Sequence, residues 1–143
     1  MTQAIKAHGT LLKIGDGQPS EVFTTIAEVT EISGPSLEQE SLEVTSHDSS
    51  GGFREFVGGL IDGGEITLTI NYVPTEATHN ATTGLIADLK NMIVRNFQLV
   101  FPDSGSTTWN LSALVQSFEP TEPVDDKLGA DVTLKVTGEP TLV

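Results

Sequence analysis

Between Gly64 and Val73 the chain alternates without a break: Ile66, Leu68, Ile70 and Tyr72 take one parity, and Glu65, Thr67, Thr69 and Asn71 take the other. A period of two sends the two sets to opposite faces of an extended strand, so this segment must lie with one face on an apolar core and the other toward water. The same period returns in Val132, Leu134 and Val136 against Thr133, Lys135 and Thr137, and again in Phe97, Leu99 and Phe101. Pro102-Asp103-Ser104-Gly105 then reads as a turn, and Trp109, Leu111, Ala113 and Val115 continue in phase, which predicts a hairpin. Phe118 falls on the opposite parity, where a bulge or a strand changing sheets is required. Further strands are expected near Thr10 to Ile14, Val22 to Ile32 and Gln39 to Ser46, the first two parted by Gly15-Asp16-Gly17.

One segment has the helical period. Leu85, Ile86, Leu89, Met92 and Ile93 cover one side of a helix, with Thr82 or Thr83 as its cap. Strands, one helix and more strands predict a mainly β fold, an antiparallel β-sandwich or incomplete barrel with one flanking α-helix. At 143 residues a single domain, 1–143, is expected.

Composition narrows the function. Seven Lys and Arg against 20 Asp and Glu give a net charge of −13, which repels phosphate and disfavours tight nucleic-acid binding. There is no cysteine, so neither disulfides nor thiolate zinc sites hold the fold. Met1 to His8 lacks the apolar run of a signal peptide, and no stretch reaches the roughly 18 apolar residues of a membrane span, so export by that route and a membrane span are not expected.

The stretch between Ser46 and Gly64 stands apart, with Gly51-Gly52, Gly58-Gly59 and Gly63-Gly64 interleaved with Phe53, Phe56, Val57, Leu60 and Ile61. It is too long for a hairpin turn and reads as a flexible glycine-rich loop at about 47–63. Its aromatics call for a covering surface: a partner, or the chain's own core.

Leu42 to Tyr72, LEVTSHDSSGGFREFVGGLIDGGEITLTINY, resembles the signature region of the tail tube proteins of long non-contractile phage tails. The similarity lies in a strand ending at Val44 to Ser49, the run Gly52-Phe53-Arg54-Glu55-Phe56, then Gly59-Leu60 and Asp62 to Glu65 leading into Ile66 to Tyr72. The resemblance implies a tail-tube fold and a structural virion protein, assembled in the bacterial host cytoplasm, whose hexameric rings stack into a tube that passes phage DNA without binding it specifically. It implies copies of itself as partners, with the tape measure protein inside and tail terminator and tail tip proteins at the ends. Carried over, the loop His47 to Gly63 joins one ring to the next, with Phe53, Arg54, Glu55 and Phe56 as contacts. Lumen-facing candidates are Thr67, Thr69, Asn71, Thr133 and Thr137, with Glu38, Glu40 and Glu43 nearby; the acids could equally serve only to keep the free subunit soluble. Ring closure would use unpaired sheet edges.

No catalytic, cofactor or metal site is expected. His47, Asp48 and Ser49 are hydrolytic residue types, but neighbours in one strand or turn point apart and cannot relay a proton. The glycine pairs lack the Lys-Ser/Thr of a phosphate loop, and no G-x-S-x-G elbow occurs. His8, His47 and His79 are too scattered for a metal pair, and Asp125, Asp126 and Asp131 do not have EF-hand spacing. Two other readings compete: the tube of a contractile tail or secretion system, and a carbohydrate-binding β-sandwich, for which only Trp109 and Tyr72 offer themselves as a platform.

Overall fold

The computed structural model describes residues 2–142. Ten elements follow in order: β1 (Leu11–Gly15), β2 (Phe23–Thr25), β3 (Val29–Ser33), β4 (Glu38–Glu43), β5 (Phe56–Asp62), β6 (Glu65–Asn71), α1 (Leu85–Lys90), β7 (Val94–Val100), β8 (Thr108–Thr121) and β9 (Gly129–Leu142), with a 3-10 turn at Ser50–Gly52. Seven strands form one sheet in the order β2-β1-β7-β8-β9-β6-β3, and β4 and β5 pair separately. All pairings are antiparallel.

The two edges of the large sheet, β2 and β3, are consecutive in the chain. Laid flat, seven strands would hold those edges about 29 Å apart, whereas the link from Thr25 to Val29 reaches about 14 Å at full stretch. The sheet must therefore curl until its edges nearly meet, which resolves the sandwich-or-barrel expectation as an incomplete barrel. The link is bonded on both sides: Ile26 N–H donates to the Leu12 carbonyl at 2.9 Å, and Asn71 N–H donates to the Glu28 carbonyl at 2.8 Å. Val22 to Ile32 is thus two short strands and not one, because Glu28 takes a left-handed φ of 60° and turns the chain across the seam.

The parities that point inward fill the barrel: Ile66, Leu68 and Ile70 from β6, Phe97 and Leu99 from β7, Leu111, Ala113 and Val115 from β8, and Val132, Leu134 and Val136 from β9. The change of parity before Phe118 is a bulge, since Val115 pairs with Leu134 and Ser117 with Thr133, leaving Gln116 over. Phe118 thereby turns inward against Tyr72, ring centroids 5.2 Å apart in an edge-to-face arrangement.

The connector after β6 folds back onto the seam, where Ala27 N–H donates to Thr78 Oγ1 at 3.2 Å. His79 is wholly buried; its Nδ1 accepts the Val73 N–H at 3.2 Å and its Nε2–H donates to the Ala27 carbonyl at 2.7 Å. It is a satisfied core histidine that ties the connector to the seam. The helix that follows is shorter than its sequence pattern, ending at Lys90, and neither Thr82 nor Thr83 caps it. Gly84 holds the cap position, while Asn80 Oδ1 accepts the N–H groups of Thr82, Thr83 and Gly84 at 3.1, 2.7 and 3.1 Å. Met92 leaves the helical face with φ 55° and points to solvent. Arg95 Nε on β7 reaches Asp88 Oδ1 on α1 at 3.1 Å; burial still pushes that carboxyl above its usual range.

Candidate functional site

The glycine-rich stretch is only partly a loop. Phe56–Asp62 is β5, paired with β4 from Glu38↔Asp62 to Glu43↔Phe56, so that the two form a ribbon projecting from the barrel. The expected loop at 47–63 is corrected accordingly: the irregular part is the tip, from Val44 to Glu55, closed by Val44 N–H to the Glu55 carbonyl at 2.8 Å and Glu55 N–H to Thr45 Oγ1 at 2.8 Å. The glycine pairs hid the strand, since Gly58 and Gly59 erase its alternation. At the tip Phe53 is 78% exposed, and Arg54 stands off with its Nε 4.0 Å from Glu43 Oε2. Ser49 Oγ donates to Glu55 Oε2 at 2.9 Å and accepts the Ser46 N–H at 2.9 Å, so Ser49 and Glu55 fasten the turn, while His47 and Asp48 are exposed.

Every residue of β4 is exposed, and β5 is exposed at all but one position. A two-stranded ribbon with no core of its own is marginal in water, and this one carries Leu42, Phe56, Val57, Leu60 and Ile61 to solvent. Its root, in contrast, is tightly built. Gly64 has φ 73°, and a Cβ there would run into the Ser36 carbonyl oxygen, so the close approach of the two connections admits glycine alone. Ser36 Oγ accepts the Glu65 N–H at 3.3 Å, and Val136 N–H donates to the Gly64 carbonyl at 3.0 Å. Asp62 Oδ1 accepts from Gly64 N–H at 2.8 Å and from Lys135 Nζ at 3.0 Å. The Gly64 N–H and then the Lys135 ammonium hold this carboxyl below the usual aspartate range.

A second surface lies on the outside of the barrel. Cross-strand register places Ser33, Thr67, Thr133 and Ser117 in one row over β3, β6, β9 and β8, and Glu31, Thr69, Asp131 and Glu119 in the next. Thr67, Thr69, Asn71, Thr133 and Thr137 all share this outer face, Asn71 beside Gly129 at one end and Thr137 beyond Lys135 at the other. Glu38, Glu40 and Glu43 are instead on the arm; Glu38 and Glu40 share with Thr137 a cleft of about 600 Å³ between arm and barrel. The acids of the wall are Glu31, Asp131 and Glu119, unrecognised in the sequence because only register brings them together. Asp131 and Glu119 are directly paired like charges, an arrangement that weakens a lone sheet. Thr69 Oγ1 donates to Asp131 Oδ1 at 3.1 Å.

A groove of about 980 Å³ follows the seam, lined among others by Ile5, Leu11, Val29, Ile32, Leu99 and Phe101. Trp109 and Tyr72, the aromatic pair on which a sugar platform would depend, pack against the core.

A family model described as lambda phage tail tube protein matches residues 13–143. No curated protein sequence matches. Among solved structures, the chain is similar to a protein in the tail of an empty gene transfer agent particle, refined with C6 symmetry, at 23% identity and a TM-score of 0.75 over 98% of this chain and 99% of that one. It is similar to a protein of the native gene transfer agent virion at 22% identity and a TM-score of 0.76, covering 98% and 99%. The SPP1 tail tube protein aligns at 15% identity with a TM-score of 0.65, over 93% of this chain and 75% of that one.

Proposed function

The chain belongs to the lambda phage tail tube protein family, and from that premise we propose that six copies close into a ring, that rings stack into the tube, and that phage DNA passes through the lumen without being bound. The tail tube role is structural, and no catalytic step is assigned to it. The observation that carries this reading is the arm: a ribbon that buries almost nothing of itself belongs to a subunit completed by other subunits. Sixfold symmetry in the similar gene transfer agent tail supports the ring size.

In this arrangement the tip residues Phe53, Arg54, Glu55 and Phe56 contact the next ring. The outer wall of β3, β6, β9 and β8 faces the lumen, where Thr67, Thr69, Asn71, Thr133 and Thr137 present hydroxyls and an amide, and Glu31, Asp131 and Glu119 repel phosphate over a screening length of about 8 Å. The like-charge pair that weakens a lone subunit then serves the channel. The tape measure protein occupies the lumen before DNA does, terminator and tip proteins close the ends, and assembly takes place in the host cytoplasm.

Electron microscopy of the concentrated protein, alone and with its tail initiator, is the test. Hollow filaments of sixfold symmetry are expected. A chain that stays monomeric under both conditions would falsify the reading.

A further inference from the structure

We propose that segment 2–8 is a strap that closes over the open edge of β3 in the free subunit and holds back assembly until it swings away; this rests on the tube reading above. β3 is bonded to β6 alone, so its other side has no strand beside it. An unpaired edge of this kind invites pairing with another chain, and subunits that must wait for an initiator need it covered. Segment 2–8 is exposed throughout. Among the described residues its one bond between main-chain groups is the Ala7 carbonyl accepting from Thr10 N–H at 3.1 Å. Nothing of that kind holds the segment to the barrel, yet it borders the same seam groove as the edge: Ile5, Lys6 and Ala7 come from the segment, and Val29, Glu31 and Ile32 from β3.

The groove has room for one strand. Six extended residues about 20 Å long, in a width of about 4.8 Å and a depth of about 10 Å, occupy on the order of 1,000 Å³; the groove measures about 980 Å³. The side chains also match. Extended, the segment sets Ile5 and Ala7 on one side and Lys6 and His8 on the other. Val29 and Ile32 pack against the core while Glu31 is exposed. A closed strap therefore lays Ile5 and Ala7 on the apolar side of the groove and brings Lys6 beside Glu31.

Gly9 supplies the joint. Its φ of 103° is open to glycine and strained for other residues, and it stands two residues before β1. A segment tethered that closely meets the edge at an effective concentration of about millimolar, ahead of any second copy in dilute solution. A strap closed about nine-tenths of the time leaves about a tenth of the subunits competent to add to a tube.

The test compares the full-length chain with two variants, one lacking residues 2–8 and one full-length carrying Ile5→Asp and Lys6→Glu, which puts a charge on the apolar side and a like charge beside Glu31. The altered residues are exposed, so the barrel is expected to fold, which circular dichroism checks. In the monomers, amides of β3 not bonded to β6 should exchange about tenfold faster in both variants than in the full-length chain. Elongation from sheared tubes of the full-length chain should also quicken about tenfold. Equal exchange in all three proteins would overturn closure of the strap. Faster exchange with elongation unchanged or slowed would overturn its restraining role. Should the full-length chain and both variants never form tubes, the tube reading falls and the restraint with it, while the exchange rates still report whether the strap closes.

Discussion

Asp62 and Lys135 are both on the surface, and an exposed ion pair contributes little to stability by itself. Its place gives it another use. Asp62 ends β5 and Lys135 lies on β9, so the pair crosses from arm to barrel at the one point where the ribbon is fastened. Because the folded-state pKa of Asp62 is depressed, its contribution is present above the ordinary aspartate range and is lost as pH falls through the lowered value. The carboxyl carbon of Asp62 is expected to titrate below that range by NMR. Lys135→Met should move the midpoint up only partway, since the Gly64 N–H bond remains and is the larger cause. A midpoint unchanged in that variant would mean that the ammonium does not act on the carboxyl.

At the scale of elements, Gln116 is the residue that the alternation of β8 leaves over. Deleting it alone should leave Phe118 inward, because Val115 and Ser117 would then pair in regular register with Leu134 and Thr133, whereas deleting Gln116 and Ser117 together would send Phe118 to solvent and bring Glu119 over the core, at a cost of about 3–5 kcal/mol by analogy with loss of a core aromatic, measured by urea unfolding. A double-deletion variant as stable as the parent would show that the parity of β8 does not hold Phe118 in place. This bulge was legible in the sequence because Leu111, Ala113 and Val115 establish a parity that Phe118 breaks. Strands with one wet face, β6 to β9, were legible for the same reason. Of the ribbon only the first strand was expected, near Gln39 to Ser46; β5 was not, because the alternation signal depends on one face being buried, neither face of β5 is buried within the monomer, and Gly58 and Gly59 interrupt it. Nor was the acidic row of Glu31, Asp131 and Glu119, whose members come from strands far apart in sequence and meet only through register. The short seam strands were merged into one for want of a breaker at Glu28, a residue type that seldom adopts positive φ.

For the molecule as a whole, bringing copies with a net charge of −13 together requires screening. The lag before tube growth, followed by light scattering, should shorten as ionic strength rises from about 0.15 M to about 1 M and the screening length falls from about 8 Å to about 3 Å. Glu31→Gln, Glu119→Gln and Asp131→Asn together should shorten it at low salt; a lag indifferent to salt and to these changes would mean that charge does not limit assembly. The barrel's connectivity bears on timing in another way. Both edges, β2 and β3, come from the first quarter of the chain, and the strands that separate them come mostly from its second half. During translation the early strands leave the ribosome before their partners exist, so no half-made polypeptide has a finished wall to offer. Recruitment into a growing filament waits for the last strand to be synthesised.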